Sequence, residues 1–192
     1  MHRTVRDSSI RYAVIAFAAL ALTAQQQAFA QTRAASKEQV RRGEYLVNYG
    51  GCNDCHTPKT MTPQGPVADK SRLLSGHPAD SQLPAVPPGV IGPTQWGAIT
   101  NNDLTAWVGP WGTSFAANLT PDQDTGLGRW TADQFIKTMR TGKHFGAGRP
   151  VLPPMPWYDV AVLNDADLKA VFAYLQSLKP IRNAVPQPIP PK

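Results

Sequence analysis

Residues 45–59 read YLVNYGGCNDCHTPK. They hold both cysteines of the chain, Cys52 and Cys55, with His56 directly after the second. Several chemistries use such a cluster. A structural zinc site wants four Cys or His ligands, commonly as two spaced pairs, and the chain has no second pair. His77 and His144 stand far from any such spacing. A thioredoxin-type dithiol needs a strand before the motif and a helix starting in it. Here the stretch ahead is itself helical: Val40, Gly43, Leu46 and Val47 recur at helical spacing, and Gly50-Gly51 stops the run. A Cys52–Cys55 disulfide would close a tiny loop, constrain the unfolded chain little and leave His56 unused. Cys-x-x-Cys-His as a c-type haem attachment site uses all three residues. Two thiols add across the haem vinyl groups as thioethers, and His56 lies beneath the iron as a ligand.

A second axial ligand closes the iron, and a methionine there raises the reduction potential. Met61 follows His56 too closely to reach the opposite face easily. Met139 falls on the apolar face of a helical stretch and reads as core. Met155 lies far downstream in LPPMPW, residues 152–157. Pro153, Pro154 and Pro156 fix φ and remove N–H groups, so this segment cannot be helical and is stiff. Met155 is the candidate sixth ligand, and His144 is its rival. No catalytic residue is assigned.

The start of the chain has a different character. Arg3, Arg6 and Arg11 precede an apolar run from Tyr12 to Ala24, and Ala28-Phe29-Ala30 gives a small-x-small end. This is the pattern of a secretory signal peptide over 1–30. As a helix the run would span about 20 Å, short of the ~30 Å hydrocarbon core. A single domain is expected over 31–192, with no transmembrane segment after cleavage. The net charge of +6 is mild, and no basic run with aromatic interleaving points to nucleic acid.

The expected helices are few. Ser36 caps one over 36–49, and Thr131 with Gln134 forms a capping box ahead of Phe135, Ile136 and Met139. Asn164 caps a last helix over 165–178, with Leu168, Val171, Phe172, Leu175 and Leu178 as its stripe. Residues 60–117 are dense in Pro and Gly and lack a clean period, so they read as a loop insertion with a short hairpin near 95–108. Trp96, Trp107 and Trp111 argue that the insertion is ordered. The Pro-rich tail over 181–192 reads as extended and mobile.

RGEYLV with GGCNDCHTP, NLTPDQDTGLGRWTADQF, LPPMPW and DLKAVFAYLQSLKP together resemble class I c-type cytochromes. They are most similar to the mono-haem and subunit cytochromes that serve bacterial periplasmic dehydrogenases. The resemblance implies an all-α fold with the first and last helices crossing around one covalent haem. Gly43 would meet Tyr174-Leu175 at that crossing. It implies a backbone carbonyl accepting the His56 Nδ1 proton, with the Gln64-Gly65-Pro66 segment as its expected source. Asn118, Arg149, Trp130 and Trp157 become candidates for the propionates or the pocket wall. The function implied is a periplasmic single-electron carrier, iron ligated by His56 and Met155. It would pass electrons from a dehydrogenase to a cytochrome or oxidase. Two alternatives stand beside it: a haem-bearing subunit of a dehydrogenase complex, and a haem enzyme or gas sensor with a labile sixth ligand.

Overall fold

The computed structural model describes residues 36–191, so the expected signal peptide over 1–30 lies outside the described residues. Two compact units are distinguished, Met1–Glu38 and Gln39–Lys192. Of the first, only residues 36–38 are described, inside a helix. Everything below concerns the second.

Helix α1 covers 36–49. It ends where Gly50 N–H donates to Leu46 O at 2.8 Å and Gly51 turns left-handed at φ 64°, a conformation that costs glycine nothing. A short helix α2, Cys52–His56, follows at once. Helix α3, Ala132–Thr141, has the expected capping box: the Thr131 hydroxyl accepts from Gln134 N–H, and the Gln134 side chain accepts from Thr131 N–H. A short helix α4, Trp157–Val160, precedes α5, Asp165–Ser177.

Asn164 Oδ1 accepts from Asp167 N–H at 2.8 Å and caps α5. An N-cap of this kind contributes about 1 kcal/mol. Asn164→Ala should therefore lower the thermal midpoint by about 2–4 °C, while Asn164→Asp, which keeps the acceptor, should stay near the unmodified value. Differential scanning calorimetry of the haem-loaded protein reads the difference.

The core gathers Val47 from α1, Phe135 and Met139 from α3, and Leu168, Val171, Phe172, Tyr174 and Leu175 from α5, with Leu74 and Leu127 from the connecting segments. Met139 is thus core, as its helical position indicates. Gly43 is what lets α1 reach α5. A Cβ there would run into the Ala170 carbonyl and lie 2.8 Å from Tyr174 Cβ. On the rim of this crossing the Arg42 guanidinium makes a two-pronged contact with the Asp167 carboxylate, at 2.8 and 3.1 Å.

The all-α expectation needs amending for the insertion. Strands β1 (Lys59–Thr62) and β2 (Gly65–Ala68) form an antiparallel hairpin. Strands β3 (Ile99–Thr100), β4 (Ala106–Gly109) and β5 (Gly112–Phe115) form a three-stranded antiparallel sheet in that order. The expected hairpin near 95–108 is thus part of a sheet reaching to Phe115. Trp107, Val108, Thr113 and Phe115 are residues that suit a pleated, half-buried surface. The strands are too short, and too closely punctuated by glycine, to show a period in sequence.

The tail is extended but not loose. Thr113 N–H donates to Ile189 O at 2.8 Å, and Ile189 N–H donates back to Thr113 O at 3.0 Å. Asn183 fastens it further: its side-chain amide donates to Ser75 O at 2.7 Å and His77 O at 2.8 Å, and its Oδ1 accepts from Ala79 N–H at 2.9 Å. These bonds correct the expectation of a mobile end. No helix among the described residues is long and apolar enough to cross a membrane.

Candidate functional site

Helix α2 carries Cys52, Cys55 and His56 within about a turn and a half. Its C-terminal end is gathered by Lys59, whose ammonium donates to the carbonyls of Asn53, Asp54 and Thr57 at 3.3, 2.8 and 2.5 Å. A cation there meets the negative end of the helix. Thr57 ties the motif inward: its hydroxyl donates to Asn53 Oδ1 at 3.0 Å and accepts from Leu74 N–H at 2.9 Å. Gly76 N–H donates to His56 O at 2.8 Å.

The His56 ring is nearly buried, and its Nδ1 lies 2.8 Å from the carbonyl oxygen of Ala117. A carbonyl only accepts, so Nδ1 carries the proton and Nε2 keeps its lone pair. Burial pushes the His56 pKa down, against the Ala117 hydrogen bond, which pulls it up. The ring is therefore neutral, oriented and ready to ligate a metal through Nε2. Ala117, not the expected Pro66 segment, supplies this carbonyl. Pro66 instead sits in β2, paired with Met61.

Cys52 and Cys55 are not joined to each other. Burial raises both thiols above the ordinary range, with the Asp54 carboxylate adding to the effect at Cys55. Cys55 and His56 line one open cleft. Met155 lines the same cleft, as do His144 and Arg149. Cys52 is not on that lining. It packs against the edge of the hydrophobic core. The structure thus brings Cys55, His56 and Met155 to one cavity, with the rival His144 beside them.

Other candidates fall elsewhere. Met61 is 61% exposed on β1. His77 is a loop residue, yet wholly buried: Nδ1 lies 2.9 Å from Thr105 Oγ1, its ring tilts against Phe115, and Nε2 has no hydrogen-bond partner among the described residues. It is not on the cleft. Trp157 packs its ring over Gly142 rather than lining the pocket, which corrects that expectation. Trp130, Asn118 and Arg149 do border a second, more polar cavity, which shares Phe115, Ala117, His144, Arg149 and Pro188 with the first. Much of the Asn118 side chain is already engaged, donating to Ile181 O at 2.8 Å and accepting from Thr120 N–H at 3.0 Å.

Sequence reasoning missed three contributors: Pro188 of the tail, and Trp107 and Ser114 of the sheet, all of which line the main cleft. A proline-rich end and two four-residue strands carry no sequence signal for such a role.

The donor set suits a c-type haem. It offers the Cys55 thiol, with Cys52 three residues earlier on α2, a neutral imidazole with an open Nε2, a thioether on the same cleft, and apolar walls from Phe115, Val151 and Leu152. Comparison with known proteins agrees. The cytochrome c family matches residues 40–179. The chain is 30% identical over 146 residues to the gluconate 2-dehydrogenase cytochrome c subunit of Pantoea cypripedii, covering 76% of this chain and 24% of that protein. It is 27% identical over 165 residues to the cytochrome c subunit of quinone alcohol dehydrogenase from Gluconobacter oxydans, covering 85% of this chain and 27% of that one. A shorter match, 42% over 77 residues, reaches a nicotinate dehydrogenase subunit of Pseudomonas putida, 40% of this chain and 6% of that one. The chain spans about a quarter of the length of the first two relatives. The chain belongs to the cytochrome c family: it is an electron-transfer protein rather than an enzyme, with covalently bound haem c and its iron.

Proposed function

We propose that this is a periplasmic single-electron carrier holding one haem. In this reading Cys52 and Cys55 form the thioethers, and His56 and Met155 ligate the iron. The observation that carries it is the shared cleft: an imidazole fixed by Ala117 O and a thioether from a proline-stiffened loop border the same cavity. When bound, the haem supplies a one-electron couple whose potential depends on its axial ligands and the polarity around it.

The residues of the chain do the rest. Ala117 O sets the tautomer and orientation of His56. Phe115, Val151 and Leu152 give the cleft apolar walls. Arg149, on the border between the two cavities, offers positive charge to the carboxylates that a haem carries. The leader over 1–30 would deliver the chain to an oxidising compartment, the setting for covalent attachment.

The electron donor in this reading is a dehydrogenase, and the acceptor is another cytochrome or an oxidase. The names of the relatives favour a second form of the same reading, in which the chain is the haem subunit of a dehydrogenase assembly. His144 on the same cleft is the rival ligand, and a bis-histidine site would sit at lower potential; weak ligation by Met155 is what an open or exchangeable site would need.

Optical titration of the protein isolated from periplasm tests these readings. One haem per chain, resistant to extraction, should titrate reversibly as a single one-electron couple. The oxidised form should show the weak long-wavelength sulfur-to-iron band, and the reduced form should bind little carbon monoxide. Ready carbon monoxide binding by the unmodified protein would overturn Met155 ligation. Co-purification with a dehydrogenase at moderate salt would mark a subunit, and isolation alone a free shuttle.

A further inference from the structure

Met155 sits in a segment that is poor in its own backbone donors. Pro153, Pro154 and Pro156 have no N–H. Within the segment Met155 N–H reaches Leu152 O at 3.3 Å, and just beyond it Trp157 N–H reaches Met155 O at 2.9 Å. Upstream, Val151 N–H donates to Gly142 O at 2.8 Å and ties the loop to the end of α3. Between these ties the loop depends on a partner from outside.

That partner is on β5. Ser114 is nearly buried, faces inward by the two-residue alternation of the strand, and lines the cleft. Its hydroxyl lies 2.5 Å from Pro153 O, and Trp111 Nε1 lies 3.2 Å from Ser114 Oγ. The direction of this chain is fixed by chemistry. An indole N–H only donates and a carbonyl only accepts, so the serine accepts from Trp111 and donates to Pro153. Each bond polarises the next.

We propose that Ser114 is a positioning residue for the sixth ligand: its hydroxyl, oriented by Trp111, holds the Pro153 carbonyl and so fixes the loop that presents Met155. This rests on the reading of Met155 as an axial ligand. Two residues past β5 the chain reaches Ala117, whose carbonyl orients His56. Ala116 N–H donates to Thr105 O, and Ala116 O accepts from His77 N–H, at 2.8 and 2.9 Å, which fastens this stretch in place. One short piece of the insertion therefore grips both sides of the site.

The test compares Ser114→Ala, Ser114→Thr, Trp111→Phe and Met155→Ala in the haem-loaded full chain. Two readouts respond to ligand position rather than to general stability: the sulfur-to-iron band of the oxidised form, and the fraction of reduced protein that binds carbon monoxide. In Ser114→Ala the haem should stay covalently attached, the band should weaken, and the carbon monoxide-binding fraction should rise about five-fold, the weight of one neutral hydrogen bond. Ser114→Thr, which keeps the hydroxyl, should restore both. Trp111→Phe should shift both in the same direction by a smaller factor.

An unchanged band and carbon monoxide response in Ser114→Ala, alongside a lost band in Met155→Ala, would overturn the proposal while leaving Met155 ligation standing. A band that persists in Met155→Ala would overturn the ligation reading itself. Should Ser114→Ala fail to accumulate, Trp111→Phe decides the matter: no change there overturns the proposal.

Discussion

Gly43→Ala is expected to destabilise the protein by about 3 kcal/mol, at the upper end of what overpacking costs. The sign is what makes this informative. On an isolated helix the same change is favourable by up to about 1 kcal/mol, because alanine is the better helix former. At Gly43 the added methyl would enter the Ala170 carbonyl and crowd Tyr174 Cβ. Neither obstacle is the far end of a flexible side chain, so the two helices must move apart. That separation would loosen Val47 and Leu175, both almost fully buried. A fall of about 6–12 °C in the thermal midpoint follows for a domain of this size. A midpoint equal to or above that of the unmodified protein would mean that α1 and α5 do not cross at Gly43.

Met155→Ala is the second large effect, and it acts on the electron couple rather than on folding. Met155 is only partly buried and packs on the margin of the core, so the stability loss should be modest. The haem should remain attached through the cysteines. The sulfur-to-iron band should vanish, and the reduced protein should take up carbon monoxide. The potential should fall by roughly 0.1–0.3 V, a fraction of the ~0.8 V that axial ligands span. His144 on the same cleft introduces a specific variation. Burial, and then the nearby Arg149, push its pKa down, so it is neutral and able to ligate. If it occupies the vacated position, Met155→Ala will bind carbon monoxide weakly and His144→Ala in that background will release full binding. Spectroelectrochemistry of the single and double variants reads both outcomes.

What the sequence makes legible is local. Cys52, Cys55 and His56 are neighbours in the chain, and their reading as a haem attachment site rests on spacing alone. The capping box at Thr131 and the cap at Asn164 are four-residue patterns, and both are present. Gly43 enters through the resemblance, which implies a helix crossing at Tyr174-Leu175, and its Cα does lie against Ala170 and Tyr174.

What escapes is carried by backbone groups over long separations. The carbonyl of Ala117 is chemically identical to every other carbonyl, and it reaches His56 across 61 positions. Nothing in the residue type marks it, which is why the Pro66 segment is a natural but incorrect choice. Ser114 reaches Pro153 across 39 positions by the same kind of contact. Strands of four residues are too short to display alternation. Trp157, two residues from Met155, reads as a pocket residue, yet its ring covers Gly142.

The tail also bears on how the site is assembled. Asn183 is bonded to Ser75 across 108 positions, and Ile189 to Thr113 on β5. Contacts this distant form late, because the entropy of closing a long loop is lost before any bond is gained. Pro188 is one wall of the cleft. In a chain delivered from its N-terminus, Cys52, Cys55 and His56 therefore emerge while that wall does not yet exist. The motif stays approachable from the side that the tail will cover. A bulky cofactor, and whatever machinery joins it to the thiols, can enter through a doorway that the protein itself shuts afterwards.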